Sequence, residues 1–157
     1  MAAYFFDTSA LIKYYHTELG SDRVSEIFGE PERVVRASSL GVLEAQSVFA
    51  MKVRSGELDR AAAGMFRAQL MLDIAAGSIE TYKVTPDHFN LAERLIGRYG
   101  YAQRLRTFDA LQLAVALDLR DVNLADFFVA ADKALLDCSI AAGLRSINPE
   151  IPETMDC

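Results

Sequence analysis

The chain has no tryptophan, and only two cysteines, two histidines and four prolines among its 157 residues. Cys138 lies inside an apolar helical pattern and Cys157 is the last residue, which excludes a disulfide-stapled miniature and suits a reducing cytosol. His16 and His88 show no ligand spacing, so no Cys/His set is there to hold zinc. Positive charge is also scarce: Lys and Arg number 16 against 22 Asp and Glu, a net charge of −6. That balance excludes a protein that holds nucleic acid through a blanket of basic residues; a polyanion has to be met by a local patch or by a metal ion. No apolar run approaches the ~20 residues of a membrane span, and Met1 to Phe6 reaches Asp7 without a basic n-region. A soluble, cytoplasmic protein is the expectation. Walker loops, Gly-x-Gly-x-x-Gly and Gly-x-Ser-x-Gly are all missing.

What is present is a core: 52% of residues are hydrophobic and 24% charged. Short β-branched or aromatic runs alternate with stretches of helical period, the pattern of βαβ units around a mostly parallel sheet. Strands are expected at Ala3 to Phe6, Arg33 to Ala37, Ile79 to Val84, Phe127 to Ala130 and Leu144 to Ile147. A helix starts with Ala10 to Tyr15, and others run over Asp22 to Phe28, from a cap at Ser38 or Ser39 to about Arg54, and over Leu58 to Ala76, Pro86 to Ile96, Arg106 to Leu119 and Asp132 to Ala142. Gly77 and Gly143 follow two of them as C-terminal stops. The two long helices around Ser55 and Gly56 make a hairpin that projects from the sheet. With no linker, repeat or low-complexity segment, residues 1–157 read as one domain with a short tail from 148.

Four acids stand apart from the rest. Asp7, Glu44, Asp109 and Asp132 each sit in apolar company, where an ionised carboxylate is costly unless it is paired, hydrogen-bonded or metal-bound. Leu40 and Val48 flank Glu44 at one helical turn, as Leu105 and Leu113 flank Asp109, so both face the core. Asp7 and Asp132 follow strands, at the carboxyl rim where open parallel sheets bind ligands. Each acid alone has a structural reading: Asp7 and Asp132 as helix caps, Glu44 paired with Arg36 or Arg54, Asp109 paired with Arg106. Asp73, with Gln69 one turn before it, is expected on solvent, and Asp126 at the rim opposite Asp132.

Four carboxylates gathered in one pocket would repel one another and hold protons unless a cation joins them. All-oxygen ligation selects Mg²⁺ or Mn²⁺, and such an ion activates water for attack on a phosphodiester. Between Glu93 and Asp109 there is no acid, while Arg94, Arg98, Arg104 and Arg106 alternate with Tyr99 and Tyr101. Arginine forks on phosphates and tyrosine stacking on bases suit single-stranded RNA, and Lys13, Tyr14 and Tyr15 extend the track.

Phe6 to Ile12, the Glu44 helix, Phe108 to Ala114, and Phe128 to Lys133 followed by Gly143-Leu144 and Asn148 to Glu150 resemble the PIN-domain ribonucleases, specifically VapC-type toxins of toxin-antitoxin pairs. The resemblance covers nearly the whole chain and implies a PIN-like three-layer α/β/α sandwich, a Mg²⁺ or Mn²⁺ site, cleavage of single-stranded RNA to 5′-phosphate and 3′-hydroxyl ends, a homodimer, and a VapB-like antitoxin whose tail blocks the site. The family's acidic quartet falls on Asp7, Glu44, Asp109 and Asp132, and its small hydroxyl residue on Thr8 or Ser9. Ala130 stands where the family often has Thr or Ser, which removes one hydrogen bond from the metal's surroundings. The expectation is a metal-dependent endoribonuclease: Asp7 and Asp109 as main metal ligands, Asp132 as a further one, Glu44 holding a water on the ion, and Ser9, Lys13, Arg98, Arg104 and Arg106 on the substrate. The competing readings are a non-catalytic module of the same fold that binds RNA or protein, and a nuclease that processes housekeeping RNA.

Overall fold

Ala3–Phe6 forms β1, four buried residues at the centre of a five-stranded sheet in the computed structural model, which describes residues 1–152. Cys157 and the end of the tail lie outside the described residues. The other strands are β2 (Val34–Ser38), β3 (Glu80–Tyr82), β4 (Phe127–Val129) and β5 (Ser146–Ile147), in the spatial order β3-β2-β1-β4-β5 with every neighbour parallel. The chain winds outward through β2 and β3, then returns to the other side of β1 for β4 and β5. Beyond the carboxyl ends of β1 and β4 the winding reverses, which opens a crevice there.

Parallel pairing demands crossovers, so helices cover both faces. They are α1 (Thr8–Leu11, continued by a 3-10 turn over Ile12–Tyr14), α2 (Ser21–Gly29), α3 (Ser39–Arg54), α4 (Arg60–Ala75), α5 (Pro86–Tyr99), α6 (Thr107–Asp121) and α7 (Lys133–Ala141). Side-chain alternation along the strands sorts the two cores. Phe5, Phe128 and Ala130 pack with Leu95, Leu113 and Leu135 of α5, α6 and α7. Tyr4, Phe6, Val35 and Val129 point the other way, to Leu11, Ile27, Phe49 and Leu70 of α1 to α4. The result is a three-layer α/β/α sandwich. α4 contributes Leu70 as its one fully buried side chain and turns Met65 and Leu72 outward, so the α3–α4 hairpin leans away from the sheet.

The expected elements all form, with shorter edges than the sequence pattern indicates. Ile79 is withdrawn from β3 because its N–H bonds the Asp73 carbonyl at the end of α4, and beyond Tyr82 the neighbouring β2 has already turned into α3. The Leu144 N–H is spent likewise on Ser139, which delays β5 to Ser146. Caps place several helix starts. Asp59 accepts from the Ala62 N–H and opens α4, while Thr85 and Pro86 open α5. Gly77 (φ 77°) and Gly143 (φ 90°) hold the left-handed conformation that ends α4 and α7.

One buried hydrogen-bonded ring joins the elements at the crevice. Ser38 Oγ donates to Gln112 Oε1 (2.6 Å), Gln112 Nε2 donates to Thr8 Oγ1 (3.1 Å), Thr8 Oγ1 donates to the Gly41 carbonyl (3.2 Å), and the Gly41 N–H returns to Ser38 Oγ (2.8 Å). Gly41 is the point of closest approach: a Cβ there would stand 2.6 Å from Gln112 Nε2. Removing the amide strands a buried hydroxyl and leaves a cavity, so Gln112→Ala is expected to cost about 2–4 kcal/mol and to lower the melting temperature by roughly 5–15 °C in thermal unfolding.

Candidate active site

Each of the four singled-out acids is placed by the local structure that its sequence surroundings dictate. Asp7 ends β1 and caps α1: its Oδ2 accepts from the Ser9 N–H (3.0 Å) and from Ser9 Oγ (2.6 Å). Ser9 Oγ in turn accepts from the Ala131 N–H (2.9 Å), which ties the end of β1 to the segment after β4. Asp132 caps α7 through the Leu135 N–H. Asp109 lies in the first turn of α6, its Oδ2 accepting from the Arg106 backbone N–H (3.2 Å) and from Arg106 Nε (3.1 Å). Glu44 projects from the second turn of α3. The capping and pairing roles of Asp7, Asp109 and Asp132 are thus real, and they aim the carboxylates as well as stabilise helices.

The electrostatics show that the four share one region. Burial, with the charge of Asp109 adding to it and the hydrogen bonds from Ser9 opposing, pushes the Asp7 carboxyl up from 3.8 to about 6. Glu44 is half-buried and pushed up from 4.5 to about 7, first by desolvation and then by the charges of Asp7 and Asp109, with Arg106 opposing. Arg36 is committed to Glu80 at 2.8 Å, and among the described residues no ion pair holds the Glu44 carboxylate. The cation facing the cluster is Arg106. It bonds Asp109, comes within 3.9 Å of Asp132 through Nη2 and leaves its side chain 57% exposed.

A hard divalent cation fits this donor set. All the side-chain donors are oxygens, and the raised Asp7 and Glu44 carboxyls mark negative charge that the protein itself does not balance. The side chains have not closed on one point: among the described residues no group of three His, Cys, Asp or Glu is in metal-holding reach. Arg106 is the counter-charge in that open arrangement. At the position of the missing hydroxyl, the Ala130 side chain is wholly buried, packed in the core with α5, α6 and α7. Ser9 supplies the hydroxyl that spans the crevice.

The expected substrate residues divide. Ser9 and Arg106 lie at the cluster, and Arg104 is exposed two residues before Arg106. Lys13 does not extend an RNA track. It is buried, with its ammonium held between Glu18 (3.0 Å) and Glu150 (2.7 Å), because an unpaired ammonium there would be too costly. Tyr14 stacks on Phe28, and Tyr15 donates to Asp73, which is therefore half-buried and bonded rather than solvated. Arg98 lines a different cleft with Arg94, Leu117 and Arg120, at the far end of α6 from Asp109 and roughly 12 Å or more along its axis. Asp126 accepts from the Ala3 N–H at the opposite rim, as expected. Ser38 caps α3, one of the two serines expected there, and also bonds Gln112, whose signal in the sequence is its place as the one polar residue in Ala110 to Leu117.

Because the folded Asp7 carboxyl keeps its proton to about pH 6 while the unfolded one loses it near 3.8, the unfolded chain binds fewer protons in that window and stability falls as pH rises through it. The loss amounts to about 3 kcal/mol for Asp7. In the absence of divalent ions the melting temperature is expected to drop as pH rises from about 4 to about 6, and Asp7→Asn, which keeps an oxygen for Ser9, should melt roughly 5–10 °C above the unsubstituted protein at pH 8 and converge with it at low pH. Parallel melting curves across the range would contradict the burial of an uncompensated charge at Asp7.

No family model and no curated protein matches the chain in sequence. Solved structures do match over nearly its whole length. The VapC20 toxin of Mycobacterium tuberculosis, described as cleaving the sarcin-ricin loop, superposes with a TM-score of 0.68 at 18% identity, covering 94% of this chain and 100% of that one. FitAcB from Neisseria gonorrhoeae gives 0.61 at 15% identity over 93% and 97% of the two chains. A toxin-antitoxin complex from Klebsiella pneumoniae gives 0.58 at 15% identity over 94% and 98%. The chain therefore has the PIN-like α/β/α fold that these VapC- and FitB-type toxin structures share.

Proposed function

We propose that the protein is a Mg²⁺- or Mn²⁺-dependent endoribonuclease that cuts single-stranded RNA as the toxin of a toxin-antitoxin pair. The observation that carries the reading is that Asp7, Glu44, Asp109 and Asp132 come from four separate elements to one end of the sheet around Arg106, with the Asp7 carboxyl raised by burial and by Asp109, and the Glu44 carboxyl by burial and by Asp7 and Asp109. Asp7 and Asp109, with Asp132 beside them, are the residues to hold the ion, which would polarise a phosphodiester and lower the pKa of water. Glu44, unpaired and raised to about 7, takes the proton of the attacking water on its carboxylate. Ser9 fixes the orientation of Asp7. Arg106 offers a fork to the phosphate once Asp109 turns to the ion, and Arg104 lies near it on the surface. The negative charge left on phosphorus and on the departing 3′-oxygen meets positive charge on that side of the crevice.

Antitoxin partnership and homodimer assembly belong to the same proposal. They are supported by the likeness to toxins solved with their antitoxins and by large exposed apolar side chains such as Leu43, Phe89 and Ile140. No described helix is long and apolar enough to cross a membrane, and with the buried free thiol of Cys138 this fits action on RNA in the cytoplasm.

The test is cleavage of single-stranded RNA by the purified protein with Mg²⁺ or Mn²⁺. Asp109→Asn and Glu44→Gln are each expected to slow it by about 10²- to 10⁴-fold while the melting temperature stays within a few degrees. Cleavage by Asp109→Asn at the unsubstituted rate would remove the cluster from the chemistry.

A further inference from the structure

A nuclease site at the end of a strand needs a path for the chain on either side of the cut. A groove of about 940 Å³ lies between α3 and α4; it begins at Glu44 and Phe108 and runs out along the hairpin. Its floor is apolar, formed by Leu40, Phe49, Ala50, Val53 and Ala63. Its rim carries Arg54, Arg60 and Arg67, all exposed and without ion-pair partners among the described residues. Arg60 and Arg67, seven residues apart, lie on one face of α4. At the inner end Phe108, next to Asp109, holds its ring half out in solvent (51% exposed).

From this placement we infer that the α3–α4 groove is the path by which single-stranded RNA enters the carboxylate cluster, with backbone phosphates on Arg54, Arg60 and Arg67 and the base beside the cut stacked on Phe108. The inference rests on the nuclease reading and gives its substrate a route. Two features favour RNA over an acidic protein segment. The groove is continuous with the cleavage centre, as the strand being cut requires. Its apolar floor with a charged rim and an exposed ring is the combination that holds unpaired bases below and phosphates above. In a protein of net charge −6, three unpaired arginines on one groove are also the local patch that a polyanion needs. Gly64 lines the groove, with no atom within 4 Å of where its Cβ would be, so a larger side chain there would project into open space on that side of α4.

Binding can be read apart from cutting. Fluorescence polarisation of a labelled single-stranded RNA is measured with the full chain in EDTA over a range of salt, and cleavage is measured separately with Mn²⁺. The Arg54→Gln/Arg60→Gln/Arg67→Gln variant is expected to weaken binding about tenfold or more and to flatten the slope of log K against log salt by about 2, since each phosphate contact on a single strand contributes about 0.7. The corresponding triple lysine variant keeps the charge and recovers the slope. Gly64→Leu adds bulk to the groove without a clash and with better helix propensity, and should also weaken binding; Phe108→Ala should lose about fivefold or more. Unchanged affinity and slope in the triple glutamine variant, or no RNA binding by the unsubstituted protein, overturn the inference, as does capture of an acidic peptide by the groove while RNA affinity is indifferent to Gly64→Leu. RNA that binds through these arginines but is never cut upholds the path and sinks the nuclease reading. RNA that is cut by a protein indifferent to the triple glutamine, Gly64→Leu and Phe108→Ala changes does the reverse.

Discussion

Ser38, Gln112, Thr8 and Gly41 close a ring of buried hydrogen bonds, and the geometry of the crevice hangs on it. Thr8 is the neighbour of Asp7, Gly41 lies one turn before Glu44, and Gln112 lies one turn after Asp109. Three elements far apart in the chain are thereby set at fixed separation close to three of the four carboxylates. A buried polar ring is costly unless every member is satisfied, and here each hydroxyl and both ends of the amide have partners. The same low-dielectric setting that strengthens the ring makes the acids beside it expensive to ionise. The framework and the reactive character of the site have one physical origin.

That expense is visible in how the charges are distributed. Asp7 is spent on Ser9 and the start of α1, Asp132 on the start of α7, and Asp109 on Arg106, so three acids keep one face for structure and the other for the crevice. Glu44 has no such tie and carries the highest of the raised carboxyls. A fold holding this much uncompensated charge sacrifices stability at the place where a cation and a phosphate could compensate it. Arg106 shows the balance at work: half-exposed, bonded to one acid and near a second, it is the counter-charge easiest to move.

Apart from this crevice, the two faces of the sheet serve different ends. The face packed by α5, α6 and α7 is the more complete core, and α6 is buried along most of its length. The other face carries the α3–α4 hairpin, whose outer half stays out of the core and presents a groove with a basic rim. Rigid placement of the carboxylates and adaptable placement of a long polymer are thus assigned to different parts of one small chain.

Much was determined by the sequence alone. Parallel α/β architecture followed from strand runs alternating with helical periods, and the four acids were conspicuous because each broke an apolar pattern, which is a local property of the chain. Capping signals such as Thr85-Pro86, Gly77 and Gly143 marked element ends for the same reason, whereas the Asp59 cap, which starts α4 two residues after the expected Leu58, did not stand out. Tertiary structure decided what depends on neighbours distant in sequence. Lys13 and Arg98 looked like parts of one basic track, but Lys13 is turned inward to Glu18 and Glu150, and Arg98 faces the far end of α6. The short spans of β3 and β5 were set by partners already ended or by N–H groups spent on helix ends. Arg54, Arg60 and Arg67 carried no motif, since only the folding of α4 back along α3 makes them the rim of one groove. Gln112 gains its role only where packing brings Ser38 and Thr8 to it, because a buried amide takes its meaning from partners supplied by the fold rather than by adjacent sequence.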